Sequence, residues 1–76
     1  MSISQSIGQN IITLRKAKGI TQEQLALETE MSVTNLRNIE HGRANPTIKS
    51  LERIAQSLDE PFSKIVNVDG VSGNYE

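Results

Sequence analysis

Apolar residues recur three and four positions apart along most of this chain, in short runs that each end at a residue able to stop a helix. Ile3, Ile7, Ile11 and Leu14 form the first stripe and predict a helix from about Ser4 to Lys18. Gly19 is its stop, and Arg15, Lys16 and Lys18 suit its carbonyl end. Thr21 with Gln24 reads as a capping box, so a second helix is expected from about Gln22 to Thr29, with Leu25 and Ala26 inward. Met31 is the apolar residue of the following turn, and Ser32 can start a third helix running from about Val33 to His41 and closed by Gly42. Arg43 to Pro46 reads as a loop. Thr47 can cap a fourth helix carrying Ile48, Leu51, Ile54, Ala55 and Leu58 at helical period, and Pro61 can open a short fifth through Phe62, Ile65 and Val66.

No stretch alternates with period two, so the expected fold class is all-α: a compact five-helix domain over residues 1–67. Residues 68–76, with two glycines and no sustained period, read as a flexible tail. A chain of 76 residues supports one modest core, and with 3% aromatics that core must come from Ile, Leu, Val, Ala and Met.

The third helix carries more polar side chains than its own packing needs. At 3.6 residues per turn Leu36 and Ile39 share an inward stripe, which leaves Thr34, Arg37, Asn38 and His41 on the opposite side. Such a helix suits the major groove of DNA, where an anchored inner face must be matched by short and medium polar side chains outside. Arg37 can fork onto guanine O6 and N7, Asn38 can pair bidentately with adenine, and Val33 or the Thr34 methyl can meet a thymine methyl. A solvated helix face is the bland alternative for the same four residues. Net charge is -1, which gives no overall attraction to a polyanion. Between Met31 and Ser50, however, Glu40 is the only acid against Arg37, Arg43 and Lys49, so a small local basic face is possible.

Other chemistries find little support. Cysteine is absent and there is one histidine, which removes disulfides, thiolate zinc sites and cysteine nucleophiles. No metal or other cofactor is expected. His41 has no nucleophile partner in a recognisable motif, the acids are scattered and no glycine-rich phosphate loop occurs, so an enzyme is the weakest reading. The opening residues lack a basic stretch followed by an apolar run, and no segment approaches the ~20 apolar residues that span a bilayer. A soluble cytoplasmic protein without membrane attachment is expected.

Three linked phrases, LRKAKGITQEQLA, the turn after it and SVTNLRNIEHGRANPTIKSLERIAQSL, make the stretch from Ile11 to Phe62 resemble the phage repressor and Cro type helix-turn-helix family, also called the xenobiotic response element family. The resemblance implies a lambda-repressor-like five-helix fold in which the Gln22 to Thr29 helix lies across the phosphate backbone and the Val33 to His41 helix enters the groove. By position, it implies base contacts from Ser32, Val33, Thr34, Arg37 and Asn38. Backbone contacts are implied for Gln22, Arg43, Asn45 and Lys49, and a largely buried structural ion pair for Arg15 and Glu40. His41 stays outside this set, as a residue that either approaches a phosphate or is simply solvated. Glu30 occupies the turn position where many such motifs have glycine, and the family accommodates other residues there.

The resulting expectation is a sequence-specific transcriptional regulator, bacterial or phage-encoded and nucleoid-associated, that binds double-stranded operator DNA as a homodimer and represses by occluding polymerase or activates by contacting it. A dimer doubles the contacts of one recognition helix and reads half-sites about 34 Å apart. Pro61, Phe62, Ile65 and Val66 are the candidates for its two-fold interface, although Phe62 and Ile65 serve equally well to close the core. Seventy-six residues leave no room for a second sensor domain, so control is expected from concentration, autoregulation, proteolysis or a partner. The alternative is an antitoxin-like module that binds a protein partner, with DNA binding secondary, although the residues after Asn67 offer few apolar anchors for it.

Overall fold

A computed structural model describes residues 2–68, which form five helices and no strand: α1 (Ile3–Ala17), α2 (Gln22–Glu28), α3 (Val33–Glu40), α4 (Ile48–Leu58) and α5 (Phe62–Ile65). The tail expected over 68–76 lies, apart from Val68, outside the described residues.

Local chemistry sets both ends of these helices. Ser2, Thr21, Ser32 and Thr47 each sit in extended backbone and accept, through the side-chain oxygen, the amide N–H three residues on. Ser2 with Gln5 and Thr21 with Gln24 complete reciprocal capping boxes, so α1 starts one residue before the sequence pattern predicts. The ends of α1, α2 and α3 share one device. The residue after the cap is left-handed, at φ +69 for Gly19, 59 for Glu30 and +73 for Gly42, and two reverse amide bonds close each turn. At α2 these run from Glu30 N–H to Leu27 O (3.2 Å) and from Met31 N–H to Ala26 O (2.9 Å). Glu30 thus adopts a conformation that costs a side chain about 1–2 kcal/mol, held by those two bonds and by Met31 packing onto the core.

The core is built from Ile11, Leu25, Ala26, Leu36, Ile39, Leu51, Ile54, Ala55, Leu58 and Ile65. Ile7 and Leu14 pack against it partly buried, and two residues of the predicted stripes stand largely in solvent. Ile3 is 45% exposed and Ile48 63% exposed, because each is the first residue of its helix, at an end where no neighbouring element covers the stripe. Ile65 also needs correcting as an interface candidate: at 0% exposure it closes the core beneath α1 and α4 and has no surface left for a second chain. Phe62 and Val66 are half-buried against the same core, and Pro61 is exposed.

Candidate nucleic-acid interface

The position of α3 follows from contacts on its inner side. Leu36 and Ile39 are buried in the core, and Gly8 of α1 lies directly against the end of the helix. A Cβ at Gly8 would fall 2.4 Å from Glu40 O and 2.5 Å from Ile39 O, so only glycine lets the two backbones approach this closely.

Beside this contact Glu40 turns inward. Arg15 meets it with both prongs of its guanidinium, Nε to Oε2 at 2.8 Å and Nη2 to Oε1 at 3.1 Å, with 11% and 1% of the two side chains exposed. Arg15 Nη1 also donates to Ile20 O at 3.0 Å, and Gln22 Nε2 donates to Glu40 Oε1 at 2.8 Å. One carboxylate therefore links α1, α2 and α3, and its desolvation is compensated by three charge-assisted or amide donors. The Arg15–Glu40 pair stands where the family resemblance put it. Gln22, the residue expected to meet a phosphate, uses one N–H of its amide on Glu40, and the same nitrogen carries a second.

The opposite side of α3 makes no such bonds. Thr34, Arg37 and His41 are exposed and Asn38 is half-buried. Val33 is half-buried and leans on the core, which leaves part of its side chain for an apolar contact. Ser32 is exposed, but its hydroxyl oxygen is occupied as the cap acceptor of Asn35 N–H at 3.0 Å, leaving its O–H as the group able to donate outward. Asn35, which the sequence reading passed over, is also exposed on the first turn. A wheel count that includes the flanks as well as the centre of the polar face would have found it.

Beyond α3, Arg43 is exposed while its amide N–H donates to Asn38 O at 2.9 Å, so the basic side chain leaves from the turn that ends the helix. Asn45 is exposed and its Oδ1 accepts the Ser4 hydroxyl at 3.3 Å, which ties the loop to the start of α1. Lys49 is exposed in the first turn of α4.

Charge pairing separates this surface from the rest. Among the described residues the ion pairs are Arg15–Glu40, Lys18–Glu60, Lys64–Glu60 and Arg53–Glu30, and none engages Arg37, Arg43 or Lys49. Glu60 shows the contrast. A hydrogen bond from Lys18, with the nearby charge of Lys64, holds its carboxyl below the ordinary value against an opposing desolvation. No group of three or more His, Asp or Glu residues able to hold a metal occurs among the described residues.

Two short helices joined by a tight turn, the second held from behind and polar in front, define a helix-turn-helix module. A helix-turn-helix family model matches residues 11–65, and the chain belongs to that family. It is 38% identical over 66 residues to an uncharacterized HTH-type transcriptional regulator, y4dJ, of Sinorhizobium fredii, covering 87% of this chain and 86% of that protein. It is 39% identical over 61 residues to the immunity repressor protein of Bacillus phage phi105, covering 80% of this chain but 42% of the repressor. Among solved structures, the restriction-modification controller protein C.AhdI from Aeromonas hydrophila superposes with a TM-score of 0.79 at 27% identity, over 82% of this chain and 94% of that one.

Proposed function

We propose that this chain is a sequence-specific DNA-binding transcriptional regulator acting as a homodimer on a pseudo-palindromic operator, as a cytoplasmic protein associated with the nucleoid. In this reading α3 lies in the major groove. Ser32, Val33, Thr34, Arg37 and Asn38 meet base edges, with Arg37 reading a guanine and Asn38 an adenine. Arg43, Asn45 and Lys49 grip the sugar-phosphate backbone and set register. Gln22 donates to a phosphate through the second N–H of its amide while the first stays on Glu40. Pro61, Phe62 and Val66 form the two-fold contact, and no membrane takes part; among the described residues no helix is long and apolar enough to cross one.

The observation that carries this reading is the division of α3 into a fully engaged inner side and an outer side of exposed hydrogen-bonding groups. That outer side is followed directly by cations that no acid neutralises. The names of its relatives support the regulatory part, since they include a phage immunity repressor and a restriction-modification controller. The test is a salt titration of binding to DNA from the chain's own upstream region and to a scrambled duplex of equal length. A preference of ~10³-fold or more, with a steep loss of affinity as salt rises, supports the reading. Weak and equal binding to both duplexes refutes it.

A further inference from the structure

The last helix has few means of holding its own place. α5 is four residues long, far below the length at which a helix persists alone, and Pro61 gives it no side-chain cap. Ile65 anchors it from below, and Lys18 and Lys64 meet at Glu60 just before it. Its carbonyl end faces α1, where Asn10 is half-buried. One Asn10 amide group donates to two acceptors there: Nδ2 lies 2.9 Å from Ile65 O and 2.8 Å from Asn67 O. The carbonyls at the end of a helix have no partner within it, and here a side chain 55 residues away in sequence satisfies the last one of α5, Ile65 O, and also holds Asn67 O in the segment just past the helix.

We infer that Asn10 is a positioning residue for self-association: it fixes the angle at which α5 presents Pro61, Phe62 and Val66, and through that angle the separation of the two recognition helices. The inference rests on the homodimer reading above. Its physical content is that α1 carries both the Asn10 link to α5 and the Arg15 link to α3, so the dimer-forming corner and the groove-reading helix are referenced to the same rigid helix. An asparagine is suited to this place because its amide carries two N–H donors on one nitrogen. An aspartate of the same shape has no donor and turns two acceptors toward two carbonyls.

The experiment compares the full chain with its Asn10→Asp and Asn10→Ala variants by sedimentation equilibrium. Each protein is then bound to an operator selected from a random duplex pool, to a single half-site, and to operators with the half-site spacing changed by one base pair. Both variants are expected to raise the dimer dissociation constant by on the order of tenfold, Asp more than Ala, with half-site affinity unchanged and discrimination between spacings reduced. If Asp fails to fold, Ala carries the test. A wild-type chain that stays monomeric overturns the dimer reading and this inference with it. A wild-type dimer whose variants associate and discriminate spacing as it does overturns the inference alone. So does a parallel loss of half-site binding, thermal stability and dimerisation, which would mean that Asn10 only holds the fold.

Discussion

The two sides of α3 spend the same kinds of side chain differently. On the inner side an acid, an arginine and a glutamine satisfy one another at 2.8 to 3.1 Å, and a glycine lets α1 touch the helix backbone. On the outer side Thr34, Arg37 and Asn38 carry side chains that are exposed or half-buried and that make none of these bonds. Hydrogen-bonding groups inside a protein are costly to leave unmade, whereas groups in water wait at little cost. The inner side therefore fixes where the helix is, and the outer side is free to change partners from water to DNA.

That division fails if substitutions on the two sides have the same consequences. Glu40→Ala should produce the largest effect, a loss of about 3–5 kcal/mol in urea unfolding, because it strands a nearly buried guanidinium. Glu40→Leu restores the buried volume but not the charge, so it should lose nearly as much, and a much smaller loss would locate the cost in packing. Gly8→Ala comes next, at about 1–3 kcal/mol, since its Cβ meets backbone oxygens that cannot rotate away, partly offset by alanine's better helix propensity. Neither variant should change which operator the folded fraction prefers.

Outer-side changes should do the reverse. Arg37→Ala is expected to leave unfolding within about 0.5 kcal/mol of wild type and to cost ~1 to 3 kcal/mol of operator binding, with relaxed discrimination at one base pair. Equal losses on operator and random DNA would refute its base-reading role. Lys49→Ala should weaken binding to all sequences alike and lower the salt slope by about one. The smallest effect belongs to Glu60, on neither side of α3. Its folded pKa lies below the ordinary value of 4.5, so its contribution is present above that value and is lost as pH falls through the folded pKa. Glu60→Gln should therefore differ from wild type in stability at neutral pH and converge with it in acid; a constant gap across that range would contradict the assignment.

Much of this was legible in the chain, for reasons that also mark the limits. Caps at Thr21, Ser32 and Thr47 are encoded within four residues, and the Leu25, Ala26, Leu36 and Ile39 stripes follow from helical period alone. The Ser2 cap was missed although its Gln5 partner stands three residues on, because Ile3 looked like the beginning of the stripe instead of an exposed first residue. Gly8, Asn10 and the inward turn of Gln22 depend on elements distant in sequence, and no local pattern reports them. The left-handed Asp59 at the end of α4 gave no signal either, since aspartate occurs as readily in ordinary loops.

The most direct measurement is amide chemical-shift mapping of the isotope-labelled chain titrated with a selected operator duplex. Binding through the outer side of α3 predicts shifts concentrated on residues 32–38 and 43–49, with the amides around Leu51, Ile54 and Leu58 little changed. Shifts centred on the seam between α2 and α4, or spread evenly over all five helices, would contradict it.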